Sequence, residues 1–291
     1  MIIVTGATGN LGSRIVTRLL ELVPADTVGV SVRDAGKAAA LAERGVRVRT
    51  GDFTDPDTLR HAFEGASQVL VISAAIRGAG AVAANIAAID AARAAGAQRI
   101  LYTSHQAAAK DSLFAPQLTH ALTEEHLARQ GIAFTALRNG FYTSTLGHYI
   151  GAALETGRLV APQDGPVSWT DHADLAEVAA AVLAGNGILD GVTAPLTAPE
   201  TLDFEAVAGI LSNLAGRTIE RVVVDDEEWK AAAVERGMPP QAADFTLGMF
   251  RAARRGEFAV TDPTLETVIG RPAVPAGAVL ATMTATQPAA R

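Results

Sequence analysis

The chain opens with Ile2-Ile3-Val4-Thr5 and runs straight into Gly6-Ala7-Thr8-Gly9-Asn10-Leu11-Gly12. A short β-branched run stopped by glycines at intervals of three, then a helical pattern, leaves few folds open. The helix is read from Leu11, Ile15, Leu19 and Leu22, which recur at spacings of three and four over residues 10–22. Glycine permits positive φ in the tight turn, and its missing Cβ lets a diphosphate approach the backbone. The helix that begins there offers free N–H groups and the positive end of its dipole to an anion. Alone, such a spacing also fits an ordinary strand–helix turn. Ahead of repeated strand–helix units it reads as a dinucleotide-binding turn, with Gly6, Thr8, Gly9, Asn10, Leu11 and Gly12 against the phosphates.

Those units follow. Short β-branched runs over 28–32, 46–50, 68–73, 99–103 and 133–138 alternate with helical patterns over 37–44, 79–95 and 117–130. Asp55 and Pro56 mark a further helix start, as N-cap and first helical residue. Crossovers of this length make the neighbouring strands parallel. The expected fold class is α/β, a Rossmann-type doubly wound parallel sheet with helices on both faces. After residue 139 the rhythm changes: a helix over 142–155, a strand over 158–162, and a helix over 171–184 with Asp171 as its cap. A strand over 192–197, a helix over 203–215, a strand over 219–224 and helix to about 258 complete the pattern. A smaller mixed α/β substrate lobe is expected, interleaved with the first unit. Residues 1–140 plus about 158–198 would form the dinucleotide-binding domain, and about 141–157 plus 199–291 the lobe. Residues 282–291, rich in Thr, Ala and Pro, read as a frayed tail.

Composition excludes several chemistries. There is no cysteine, and lysine occurs only at 37, 110 and 230. Disulfides, a thiolate nucleophile and sulfur-ligated metals are therefore ruled out. The histidines show no metal-ligand grouping, so no metal is expected. A net charge of −7 argues against nucleic acid as a partner. No signal segment is visible, and the alanine-rich stretch 79–97 is broken by Asn85, Asp90 and Arg93. The expectation is a cytoplasmic protein without a membrane partner. The small-residue face of the helix over 79–95 suits packing on the sheet or on a second copy, so monomer and homodimer both stay open.

Strand-end chemistry points to the cofactor. Dinucleotide folds that take NAD carry an acid at the end of the second strand; here Val30-Ser31-Val32 leads into Arg33. A guanidinium there can fork onto a 2′-phosphate, and Lys37 adds a second positive charge. NADPH is therefore expected in preference to NADH. Asp52 and Phe53 after the third strand can flank the adenine, and Ser73 ends the fourth where the cofactor lies close. Ligands in open α/β sheets sit beyond the carboxyl ends of the strands, which adds Thr103, Ser104 and His105, then residues 138–142. His105 at the nicotinamide edge can donate to an acceptor oxygen or supply a proton. Asn139, Phe141 and Tyr142 stand at the domain junction, where pockets form. The aromatic pair fits either stacking on a flat substrate or filling between lobes. His120 and Glu124, four apart, can pair on a helix surface, or His120 can face the cleft. Candidate catalytic residues are His105, Asn139 and Tyr142. The substrate pocket is assigned to His105, Asn139, Phe141 and Tyr142. The Tyr-x-x-x-Lys relay of ordinary short-chain dehydrogenases is missing: Tyr102, Tyr142 and Tyr149 are followed four residues on by Gln106, Leu146 and Ala153.

On these motifs the chain resembles the NmrA-like branch of atypical short-chain dehydrogenases, within it the NADPH quinone oxidoreductase (type 2) and triphenylmethane reductase group. The resemblance runs to about residue 281. It rests on Gly6 to Gly12, Val32-Arg33-Asp34, Gly51-Asp52-Phe53, Tyr102-Thr103-Ser104 and Thr123-Glu124, and most restrictively on Leu137-Arg138-Asn139-Gly140 followed by an aromatic pair. Asp174-Leu175-Ala176 and the 265–270 segment also match. It implies a Rossmann domain binding NADPH, a small lobe closing over the nicotinamide, and direct hydride transfer to quinones or to cationic or azo dyes. Some members keep a lysine beside the Thr-Glu pair, where this chain has Glu125. That counts against a third reading, reduction of isoflavone-like double bonds. The resemblance also permits a non-catalytic NADP-binding redox sensor of the NmrA type. The acceptor it implies is a small aromatic or quinone molecule.

Overall fold

The computed structural model describes residues 1–76, 78, 80–185 and 189–286. The first half carries strands β1 (Ile2–Thr5), β2 (Val28–Val32), β3 (Arg47–Thr50), β4 (Gln68–Val71), β5 (Arg99–His105) and β6 (Ala133–Asn139). Between them lie helices α1 (Asn10–Leu19), α2 (Ala39–Glu43), α3 (Pro56–Phe63), α4 (Gly80–Ala94) and α5 (Ala115–Ala128). The second half adds β7 (Phe141–Tyr142), α6 (Gly147–Thr156), β8 (Arg158–Pro162), β9 (Trp169–Thr170), α7 (His172–Ala184) and β10 (Gly191–Val192). It ends with α8 (Phe204–Ala215), β11 (Glu220–Val224), α9 (Asp226–Glu235), α10 (Pro240–Arg254), α11 (Thr264–Ile269) and α12 (Ala276–Ala285).

The main sheet runs β10-β6-β5-β4-β1-β2-β3, with every pairing parallel. The order reverses direction between β1 and β4, the switch point where such sheets open a crevice at their carboxyl ends. Alternating side chains feed two cores. Ile2, Val4, Val30, Leu70, Leu101 and Leu137 face α1 and α7, whereas Ile3, Val69, Val71, Ile100 and Ala136 face α3, α4 and α5. That is the doubly wound arrangement expected from the sequence. A third core unites α6, β8, α8, α10 and α12 around Trp169, Phe204 and Phe250. Phe114, just before α5, reaches into it from the first unit, and Phe141 of β7 joins it at the junction.

Several element boundaries differ from the sequence reading. Residues 141–142 pair with β9 before the helix starts, so the expected helix over 142–155 is delayed to α6. The ladder of β10 ends at Val192; Pro195, which has no N–H to give, interrupts the expected strand over 192–197. The expected start of α4 at residue 79 lies outside the described residues. The tail expected over 282–291 is helical as far as Ala285, because Leu280 and Met283 pack on the small lobe. Residues 287–291 lie outside the described residues.

The interleaving of the two units also differs. The strand at 158–162, placed by sequence with the dinucleotide unit, pairs with β11 and buries Leu159 and Ala161 in the lobe core. Residues 264–274, placed with the lobe, turn back to the first unit. Leu265 and Ala273 pack into the core shared with α7, and the Asp174 carboxylate accepts from Val274 N at 2.7 Å. Among the described residues no helix is long and apolar enough to cross a membrane.

The glycine turn is sterically exacting. Gly6 has φ +60°, and a Cβ on Gly12 would lie 2.2 Å from the Gly6 carbonyl oxygen. Gly209 in α8 has open space where its Cβ would be. Gly12→Ala is expected to destabilise the fold by about 1–3 kcal/mol through overpacking against rigid backbone. Gly209→Ala should stabilise it by about 0.5–1 kcal/mol by helix propensity. Urea denaturation of both variants measures the pair; equal stability of Gly12→Ala and the parent chain would contradict the steric reading.

Candidate active site

The glycine turn leads directly from β1 into α1. Gly9 caps α1 without a side-chain hydrogen bond, so the first N–H groups of that helix have no side-chain cap. Thr8 and Asn10 are exposed beside it, and Leu11 is buried beneath. The Asn10 side chain accepts from Arg14 Nε at 3.2 Å. Ala7, Thr8, Ser13 and Lys37 line a cavity of about 270 Å³, which places Lys37 beside the glycine turn. Arg33, just beyond β2, is exposed and makes no hydrogen bond or ion pair among the described residues. Asp34 is taken up capping the following turn, accepting from Gly36 N at 3.0 Å.

Asp52 accepts from Thr54 N at 2.8 Å and from Thr54 Oγ1 at 2.7 Å. These bonds hold its carboxyl below the usual value, with a smaller contribution from the Arg33 charge. Phe53 packs half-buried on the core below. Three hydroxyls assigned to the cofactor from sequence are already engaged within the protein. Thr103 Oγ1 accepts from Ser73 N at 2.9 Å, and Ser104 Oγ donates to Glu124 Oε1 at 2.5 Å. Ser73 Oγ lies 3.3 Å from both Tyr102 Oη and Asn85 Nδ2. Thr103 and Ser104 fall on β5, a strand buried on both faces, so their side chains meet neighbouring elements, and Ser73 lies just beyond the end of β4.

Around the end of β5 the structure gathers a cluster only partly anticipated from sequence. His105 is partly exposed and pairs in register with Asn139 on β6. Its Nδ1 lies 2.6 Å from Gln117 Nε2 and accepts from Ala107 N at 3.5 Å. Gln117 is fully buried on α5, and its Oε1 has no partner among the described residues. Burial, and next the neighbouring His120, push the His105 pKa well below the ordinary histidine value. His120 does not pair with Glu124 on a helix surface. Its Nδ1 meets the buried Tyr102 hydroxyl at 2.8 Å, and burial lowers its pKa to about 4. Burial raises the Tyr102 phenol above its usual value. Asn85 links this hydroxyl to the backbone: Nδ2 is 3.2 Å from Tyr102 Oη, and Oδ1 accepts from Ala74 N at 2.8 Å.

Glu124 is instead buried in an ion pair. It accepts from Arg138 Nε at 3.0 Å and from Arg138 Nη2 at 2.7 Å. Glu125, one residue on, is exposed and pairs with Lys110 at 2.5 Å. The face of α5 that meets the cleft carries Gln117 and His120, so position 125 points away from it.

Asn139 is buried, its amide bonds Tyr142, and its Oδ1 has no partner. Tyr142 is half-exposed, with its ring 4.1 Å from that of His172. Burial raises the Tyr142 pKa and lowers that of His172. Phe141 is the correction among the pocket residues. Rings of Phe114, Trp169, Phe258 and His105 surround it within 5.9 Å, and it is 8% exposed, so it serves as core between the units. Gly140 before it is obligatory, because a Cβ would lie 2.2 Å from Thr170 Oγ1. Gln106, overlooked in the sequence, clasps the two units. It accepts from Phe141 N at 3.0 Å and donates to Phe258 O at 2.8 Å. Nothing in the sequence singles out Gln106 or Gln117. Asn85, a polar residue within an alanine-rich helix, was the available signal for the Tyr102 network.

The sequence matches the NmrA-like family over residues 1–274. Quinone oxidoreductase 2 of Escherichia coli is 34% identical over 274 residues, covering 94% of each chain. An NAD(P)H azoreductase of Xenophilus azovorans is 34% identical over 275 residues, again 94% of each. The E. coli NADPH-dependent quinone oxidoreductase in complex with NADPH superposes with a TM-score of 0.92 at 31% identity, over 98% of this chain and all of that one. The triphenylmethane reductase of a Citrobacter species, complexed with NADP(H), gives 0.91 at 32% identity, over 99% of this chain and all of that one.

The low His120 pKa has a consequence for stability. Above its ordinary value of 6.5 the ring is neutral whether folded or unfolded. Between 6.5 and about 4 only the unfolded chain takes the proton, so stability falls as pH falls through that window. His105 and His172 act in the same sense. Urea unfolding at pH 7 and pH 5 should show a smaller acid loss in His120→Asn than in the parent. An identical loss would contradict the buried neutral imidazole.

Proposed function

The chain belongs to the NmrA-like family, and from that premise we propose that it is an NADPH-dependent reductase of quinones and other conjugated, electron-poor acceptors, dyes included. Relatives named for quinone, azo and triphenylmethane reduction support the reaction class. The observation that carries the cofactor assignment is the pairing of a helix N-terminus without a side-chain cap at the glycine turn with the exposed Arg33 at the end of β2, which makes no hydrogen bond or ion pair among the described residues. The residues present fit an NADPH molecule. The backbone of 6–12 would hold the diphosphate, in a turn whose tightness requires Gly12, since a Cβ there would meet the Gly6 carbonyl oxygen. Arg33 and Lys37 would hold the 2′-phosphate, and Asp52 with Phe53 the adenine side.

When bound, the cofactor supplies a hydride from its nicotinamide. The protein's part is to orient the acceptor at the ends of β5 and β6 and to keep water from it. Tyr142, half-exposed beside His172, offers the flat surface, with Asn139 behind it. No tyrosine of the chain is followed four residues on by lysine, so the reaction proceeds without a Tyr–Lys proton relay. Neutral His105 fits hydrogen bonding to the acceptor better than delivery of a proton as a cation.

A panel of quinones, azo dyes and triphenylmethane dyes should consume NADPH in the presence of the protein. Cofactor binding without turnover of any of them would overturn the enzyme reading and leave the redox-sensor reading in its place. Arg33→Ala should weaken NADPH binding by about 1.5–3 kcal/mol, the range for hydrogen bonds to a charged group, with little change for NADH. Titration by nicotinamide fluorescence measures both; equal losses would contradict the 2′-phosphate assignment.

A further inference from the structure

We propose that His105 and His120 together form a pair of N–H donors for an acceptor oxygen that gains negative charge, set in that state by a hydrogen-bond chain through Gln117, Tyr102 and Asn85. The proposal rests on the reductase reading above and adds to it a preference among acceptors.

The chain of bonds has a fixed direction because it starts at backbone groups. Ala74 N–H can only donate, so Asn85 must present Oδ1 to it and direct Nδ2 at the Tyr102 hydroxyl. Tyr102 Oη thereby accepts from Asn85 and has its own proton to give. His120 Nδ1, at 2.8 Å, is nearer than Ser73 Oγ at 3.3 Å. The phenol keeps its proton, since burial raises its pKa. His120 Nδ1 is therefore an acceptor and its proton sits on Nε2. His105 follows the same logic: Ala107 N–H points at its Nδ1, and the Gln117 amide nitrogen donates to the same atom at 2.6 Å. Its proton also sits on Nε2. Neither Nε2 has a partner among the described residues, both side chains are partly exposed, and the two rings are 6.1 Å apart. The two rings thus stand side by side near the carboxyl end of β5, each with its N–H on Nε2 and without positive charge.

Such a pair acts where charge develops. A quinone that accepts a hydride becomes a hydroquinone monoanion, with its charge on oxygen; the nicotinamide is left oxidised, and water supplies the proton afterwards. Donors fixed beforehand stabilise that charge without reorganising. A triphenylmethane cation becomes neutral on accepting a hydride at carbon and develops no oxyanion. The site therefore favours acceptors that carry a carbonyl oxygen, and the two acceptor classes separate its contribution from cofactor binding.

The test compares a para-quinone with malachite green, both reduced by NADPH. Asparagine keeps an acceptor near the His Nδ1 position but lacks the outward donor, whereas glutamine can restore a donor near Nε2. His120→Asn is expected to lower kcat for the quinone by about 10- to 100-fold, in the lower range for loss of one such donor. Malachite green reduction should stay within about twofold, and His120→Gln should recover part of the quinone rate. Tyr102 is a positioning residue: long-range ¹H–¹⁵N spectra of the free protein at pH 7 should show both rings as the Nε2–H tautomer, and Tyr102→Phe should mix the tautomers of His120 alone. Equal loss for both acceptors in a folded His120→Asn protein, or an Nδ1–H or cationic ring in the parent, would overturn the proposal. A parent protein that reduces neither acceptor would instead overturn the reductase reading.

Discussion

The cleft depends on how α5 is held against the carboxyl ends of β5 and β6. Glu124 is the anchor. Buried, it accepts a two-pronged contact from Arg138 on β6 and a short bond from Ser104 on β5. Buried carboxylates persist only when so paired, and loss of one partner commonly costs about 3–5 kcal/mol. Helical spacing then does the rest. His120 lies four residues before Glu124 and Gln117 seven before it, so all three share one face. Fixing Glu124 on the strands points His120 at Tyr102 and Gln117 at His105. The segment 137–140 therefore serves two ends: Arg138 holds α5, and Gly140 lets the chain pass Thr170 into the small lobe.

The chemistry that remains is narrow. The histidines at the cleft are kept neutral by burial, and the buried tyrosine is kept protonated. None is poised to trade a proton near neutral pH. Lysine occurs at 37, 110 and 230. Of these, Lys110 is tied to Glu125 on the outside of α5 and Lys230 to Asp244 on the small lobe. Lys37 lines the cavity beside the glycine turn. An acceptor that needed strong acid catalysis would find none here. Acceptors already electron-poor, which take a hydride without prior protonation, suit the site.

Much of the framework was legible in the sequence, and the reason is periodicity. Ile2 through Thr5, the glycines to Gly12 and the spaced leucines of α1 define a strand, turn and helix locally, and each repeat of that pattern adds a parallel strand. The proposed phosphate-binding residues Gly12, Arg33 and Lys37 could be named for the same reason, since each is set by the local strand–turn–helix pattern. The other end of the site was harder, because it is assembled from residues far apart in sequence. His105, Gln117 and Asn139 meet only once β5, α5 and β6 pack. Phe141 read equally as stacking surface and as filler, and only the rings of Phe114, Trp169 and Phe258 around it decide for filler. Glu125 stands where some family members keep a lysine, and helical phase turns that position outward, where it pairs with Lys110. The hydroxyls of Thr103 and Ser104 sit at strand ends, as open α/β sheets require of ligand contacts, yet their bonds are spent holding the strands and α5 together.

The central claim is direct delivery of a hydride to the acceptor by a protein that supplies orientation and hydrogen bonds. Reduction of malachite green with NADPH carrying deuterium at one nicotinamide C4 position tests it most directly, by mass spectrometry of the colourless product. The account predicts one deuterium on the central carbon of the product from one of the two C4 epimers of the cofactor, and none from the other. A product without label from either epimer, or labelled only from deuterated water, would contradict it.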